Sequence, residues 1–194
     1  MSDMLIYLLA AAFIQNLVLT TGFGSSMMMR IVRRPADILP FGGLLTFFTL
    51  LTVAIAYPLD LAIGTSYLSK LFRPLMMVVI VSLLYLLAYG LVKKSVRLSR
   101  RIGHLLPLAA FNNVVIGVAL IINHQFFATF WGAVGLGIGA SVGFVLLVLV
   151  LAEGNRRADH PDMPDAFRGL PASLLYMGIL ALALMGFSGS VSFV

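Results

Sequence analysis

The chain contains no cysteine. It therefore has no disulfide, and no thiolate with which to hold zinc or an iron–sulfur cluster. Charge is also scarce. Only 10% of residues are Asp, Glu, Lys or Arg, against ~25% in soluble domains. Acids are the rarer sign, with 7 Asp and Glu against 13 Lys and Arg. Mean hydropathy is +1.06. An ordinary soluble globular domain is excluded. No nucleophile–base pair, metal constellation or phosphate loop stands out, so nothing supports a self-contained enzyme.

What is present is apolar sequence in long runs. Six spans, roughly residues 4–29, 41–59, 74–92, 105–122, 126–152 and 171–188, hold none of the charged residues. Each is near or above the ~20 residues that cross a ~30 Å hydrocarbon core as a helix. The pattern predicts an all-α integral membrane protein of one domain, residues 1–194, with six transmembrane helices. The net charge of +6 does not point to nucleic acid, because the bases sort by loop. Arg30, Arg33, Arg34, Lys93, Lys94, Arg97, Arg100, Arg101, Arg156, Arg157 and Arg168 lie in the first, third and fifth loops, against only Lys70 and Arg73 in the second. By the positive-inside rule the odd loops are cytoplasmic and both termini outside. The run 93–101 lies between two spans, where it meets anionic headgroups. The partner common to the whole chain is the lipid bilayer.

Polar residues interrupt two of the spans. Asn112 and Asn113 follow Ala109-Ala110-Phe111, as Gln15 and Asn16 follow Ala11-Ala12-Phe13. Gly22 and Gly24 lie beyond the first pair and Gly117 beyond the second. Amides at membrane depth are costly unless satisfied, and mark helix contacts, broken helices or sites. Two related interrupted segments predict two inverted three-helix repeats, residues 1–92 and 105–194, each with an interrupted first helix. The candidate midplane site is then Gln15, Asn16, Thr20, Thr21, Ser25, Ser26, Asn112 and Asn113. Its uncharged lining also suits a transporter or channel for a small solute. Thr46, Thr49 and Thr52 are expected to bond back to their own helix or to a neighbour. Gly135, Gly139 and Gly143 recur every fourth residue and predict a smooth stripe for close helix packing.

Several patches, taken in order, carry a family resemblance. They are residues 16–19, 107–108 through 117–120, 137–144, 162–169 and 185–189. Together they resemble the small six-helix subunits of the Rnf and Na+-translocating NADH:quinone reductase (Nqr) complexes, in the RnfA/NqrE branch. The resemblance covers nearly the whole chain. It implies a multi-pass subunit of the bacterial inner membrane, with both termini periplasmic. It also implies a homologous partner of opposite topology and further redox subunits. In that family each partner supplies two cysteines to a shared [2Fe–2S] cluster, and the complex moves Na+ or H+. Here Ser26 and Asn113 stand at the two cluster-ligand positions. Serine and asparagine are poor substitutes for a soft thiolate. Apolar Leu86 and neutral Tyr89 stand where the family often has Gln and Glu. The expectation is a non-catalytic subunit of a redox-driven translocase, with no metal and no cofactor of its own; a cluster-free scaffold is the third reading.

Overall fold

A computed structural model describes residues 2–14, 16, 22, 24–63, 67–122, 129–158, 164 and 167–188. All regular secondary structure among the described residues is helical. In chain order the helices are α1 (Ser2–Leu9), a π-helical turn (Ala10–Ile14), α2 (Ser25–Val32), α3 (Pro35–Ile63) and α4 (Tyr67–Lys93). Then come α5 (Val96–Ile102), α6 (Leu106–Ala110), α7 (Asn113–Ile121), α8 (Phe130–Ala158) and α9 (Leu170–Ser188).

Six transmembrane helices in two inverted three-helix repeats are not what the structure shows. Among the described residues, 3 helices are long and apolar enough to cross a membrane: α3, α4 and α8. The number rises to 4 if α5 and the α6–α7 segment, bent by 57°, count as one span. The stretches Asp3–Phe13 and Leu170–Leu184 are apolar but only 10–17 residues long. The reason is physical. Hydropathy sums side chains and is blind to the backbone, whereas a crossing helix needs about 20 unbroken residues. The first apolar run is divided by a π turn and by two glycines in the left-handed region, Gly22 (φ 72°) and Gly24 (φ 81°).

Proline misleads in the other direction. Pro40, just ahead of the apolar span 41–59, and Pro58, near its end, both lie inside α3, and Pro74 lies inside α4. Pro35 opens α3, where a missing N–H is harmless. Neighbouring helices can satisfy the carbonyls that the interior prolines free. The basic run expected to be a loop contains helix α5.

The core forms where α3 and α8 face each other, with α7 beside them. Phe41, Leu45, Phe48 and Val53 of α3 are buried with Val114, Val115 and Val118 of α7 and Phe144, Val148 and Leu151 of α8. The Phe41 and Phe144 rings sit 5.6 Å apart. One polar link crosses this core. The Thr49 and Ser141 hydroxyls are 2.8 Å apart. Ser141 also reaches the Gly137 carbonyl at 2.9 Å, and Thr49 the Leu45 carbonyl at 3.0 Å. Two hydroxyl protons thus have acceptors in their own helices or in each other. Outward, Leu75, Val79, Leu83 and Leu87 of α4 and Leu174, Ile179 and Leu182 of α9 are exposed. An apolar exterior around an apolar core suits lipid as the surrounding solvent.

Candidate functional site

The candidate site is where the two broken segments meet. Asn112 separates α6 from α7 and caps α7. Its side chain accepts a hydrogen bond from the Val114 N–H at 2.9 Å, satisfying one of the donors a helix start leaves open. Asn112 is only 1% exposed. Among the described residues its Nδ2 has no hydrogen-bond partner. The amide thus turns its oxygen onto its own helix.

Gly24 caps α2 in the left-handed conformation. A Cβ there would lie 2.8 Å from Asn112 Oδ1, 3.0 Å from Phe144 Cε2 and 3.1 Å from Val114 Cγ2. Only glycine lets the first segment approach the Asn112 amide this closely. The starts of α2 and α7 therefore share one spot, walled by the Phe144 ring.

The two half-helices leave this spot toward opposite ends of the bundle. From Ser25, α2 runs to Arg33, where the chain turns into the start of α3. From Asn113, α7 runs to Ile122, whose carbonyl is held by Arg73 beside Asp60, near the other end of α3. At 1.5 Å per residue, eight or nine residues span about 12–14 Å, close to half a hydrocarbon core. The meeting point thus falls well inside the bundle, away from both ends of α3. The positive ends of both helix dipoles lie there.

The remaining members of the candidate set are placed as follows. Asn16 is buried, and its Nδ2 donates to the Ala12 carbonyl at 3.1 Å. A Cβ on Gly143 would come within 2.6 Å of Asn16 Nδ2 and 2.8 Å of the Ala12 carbonyl oxygen. Asn16 is thus held against α8. Ser25 is half-buried, whereas Ser26 and Asn113 are exposed. Gln15, Thr20 and Thr21 lie outside the described residues. The structure therefore brings the starts of α2 and α7 together through Gly24 and Asn112, with Ser26 and Asn113 on the adjoining surface.

The glycines of α8 seat α1 and the π turn. A Cβ on Gly135 would overlap the Met4 carbonyl, and one on Gly139 the Leu8 carbonyl, with Ala11 Cβ at 2.9 Å. A Cβ on Gly132 would lie 3.1 Å from the Tyr7 ring. Backbone approaching backbone this closely brings many van der Waals contacts that a side chain would prevent.

A cluster position requires soft, anionic donors. The residues at the positions named by the resemblance offer a hydroxyl and an amide, both neutral and hard. They do not fit an iron–sulfur cluster. Among the described residues no group of three or more His, Asp or Glu side chains is placed to hold a metal ion.

One buried group escaped the sequence reading. Asp60 of α3, a loop charge by sequence, is buried and paired with Arg73 of α4. Arg73 also donates to the Ile122 carbonyl at 3.1 Å. The available signal was an acid and a base at either end of one turn between two apolar runs.

Comparison with known proteins adds the following. A family model described as "Rnf-Nqr subunit, membrane protein" matches residues 4–191. The chain is 32% identical to the A-type subunit of the ion-translocating oxidoreductase complex of Edwardsiella ictaluri, covering 100% of both chains. It is 31% identical to the A-type subunit of the Na(+)-translocating ferredoxin:NAD(+) oxidoreductase complex of Acetobacterium woodii, covering 94% of this chain and 95% of that one. With the A-type subunit of the Alcanivorax borkumensis ion-translocating oxidoreductase complex the identity is 30%, covering 98% and 99%.

Proposed function

The chain belongs to the Rnf-Nqr family of membrane subunits, and from this we propose that it works as a non-catalytic, multi-pass subunit of a redox-driven, ion-translocating complex. It contributes no iron–sulfur ligands of its own. The observation that carries the reading is the match over residues 4–191 in a chain whose cluster-ligand positions hold Ser26 and Asn113.

The geometry suggests how such a subunit engages its complex. Ser26 and Asn113 are exposed polar side chains at a depth where the surroundings are hydrocarbon. Leaving them against lipid is unfavourable, because their donors and acceptors go unmet. A second membrane subunit seated over the starts of α2 and α7 would meet them. The partner we infer is a homologous membrane subunit, with other redox subunits beyond it. In relatives that carry the cysteines, a [2Fe–2S] cluster would be shared across such a face. Here hydrogen bonds replace it. The membrane is the bacterial inner membrane, with the loops bearing Arg30, Arg100 and Arg156 on the cytoplasmic side and both termini outside. The 194 residues act as one membrane domain, whose midplane site is the set from Gln15 to Asn113 named above.

The test is purification of the chain from native membranes in mild detergent through an affinity tag. Redox subunits carrying flavin or iron–sulfur absorbance should copurify in fixed ratio. A chain that purifies without any redox subunit would overturn the reading.

A further inference from the structure

The Asp60–Arg73 pair is the one place among the described residues where opposite charges meet across two membrane helices. The Asp60 side chain is 7% exposed and that of Arg73 18%. Burying two charges is unfavourable, and an ion pair seldom stabilises a fold more than apolar side chains of the same volume would. Stability alone therefore gives no reason for the pair. Ionisable groups inside a membrane protein mark sites by default.

Several groups around Arg73 favour positive charge. The Asp60 carboxylate is in contact with the guanidinium. The Ile122 carbonyl accepts from it at 3.1 Å. Ile122 is the C-cap of α7 and has left the helix with ψ 105°. Its carbonyl stands at the negative end of the α7 dipole. Helix α3 ends at Ile63, three residues past Asp60. One helix C-terminus, its released carbonyl and one carboxylate from the last turn of α3 thus meet a single cation. Half-helix ends and unwound carbonyls are how membrane transporters coordinate small cations.

We infer that the enclosure around Asp60 is a binding site for a small monovalent cation, and that Arg73 fills it as a tethered surrogate. Oxygen donors of this kind suit hard ions. Among the described residues one carboxylate faces the site, which matches one positive charge. The use of this site in ion movement rests on the subunit role proposed above, but its chemistry does not. The site lies at the far end of α7 from the Asn112 junction, so an ion bound there contacts the half-helix whose start forms that junction.

The experiment uses the full chain in nanodiscs. Thermal unfolding is followed for wild type, Arg73→Ala and the double variant Asp60→Asn/Arg73→Ala. Sodium chloride and low-millimolar guanidinium chloride are each compared with choline chloride at equal ionic strength. Wild type should respond to all three alike, because Arg73 occupies the site. Arg73→Ala should melt several degrees lower and recover saturably with sodium or guanidinium, but not with choline. The double variant should lose that recovery. Should Arg73→Ala not fold, Arg73→Gln keeps a donor for the Ile122 carbonyl and carries the same measurement. A single variant indifferent to sodium and guanidinium, or a double variant that still responds, would overturn the site. So would failure of both single variants to fold with either cation present. No partner subunit enters the measurement, so its failure and that of the subunit role are told apart.

Discussion

At Gly24 one missing methyl group decides how close two segments come. Gly22 and Gly24 both adopt positive φ, but a Cβ at Gly22 meets nothing within 4 Å, whereas one at Gly24 meets Asn112, Phe144 and Val114. The pair separates backbone strain from packing. Gly22→Ala should cost about 1–2 kcal/mol, the usual penalty for a left-handed alanine. Gly24→Ala should cost clearly more, since the Asn112 amide must also move. Thermal melts of the two variants check this, and equal losses would show that the Asn112 contact contributes nothing. Asn112 itself combines a useful oxygen with a nitrogen lacking a partner among the described residues. The cap is worth about 1 kcal/mol, and an unmet buried donor costs about 1–3 kcal/mol. Asn112→Ser keeps a capping oxygen and removes the donor, so the isolated chain should be as stable as wild type or more so. A clear loss of stability would mean that the nitrogen is already satisfied, by water or by lipid.

At the scale of elements, α8 is the surface on which the first segment is laid. Its contact face is glycine because the backbone of α1 and the π turn comes to it directly. Gly139→Leu should displace α1 and abolish folding or assembly, as read by size-exclusion profile and melting temperature. Gly178→Leu on α9, where a Cβ meets nothing within 4 Å, should leave both unchanged. An assembled, normally melting Gly139→Leu protein would show that α1 can pack elsewhere. The same elements mark what sequence could and could not disclose. Helices α3, α4 and α8 lie where apolar runs stand between charges, since transfer out of water depends on side chains summed over about 20 residues. The divided first segment and the short α9 did not show in that sum, and so the count of six crossings failed. Pro40 and Pro58 pointed to helix ends, but the surrounding helices set the outcome. The junction at Gly24 and Asn112 lies between residues far apart in the chain, and no local pattern reports such a contact. The Asp60–Arg73 pair looked like two loop charges because burial is a property of the fold.

At the scale of the whole molecule, the two ends differ in chemistry. One end carries Arg30, Arg33 and Arg34 together with the exposed run Lys93, Lys94, Arg97, Arg100 and Arg101 on and before α5. There His104 also lies 3.4 Å from Asp37. The other end carries Tyr57, Phe130 and Trp131, with Tyr57 and Phe130 rings 5.5 Å apart, close in sequence to the buried Asp60. Aromatic rings of this kind favour the headgroup boundary, and unpaired bases favour the cytoplasmic side. Anionic lipid on that side adds about 1 kcal/mol for each Lys or Arg near the surface. On the wheel of α5 its three arginines fall within about 100°, and Leu98 and Ile102 lie on the opposite side. That arrangement lets the helix rest along the headgroups. The proposed orientation is simple to measure, because the chain has no cysteine. A single Arg100→Cys and a single Ser2→Cys can each be labelled by a membrane-impermeant maleimide with no background from the chain. In right-side-out spheroplasts Ser2→Cys should label and Arg100→Cys should not; in inverted vesicles the two should exchange. Labelling of Arg100→Cys from outside would reverse the assignment and, with it, the side of the membrane nearer the Asp60–Arg73 pair.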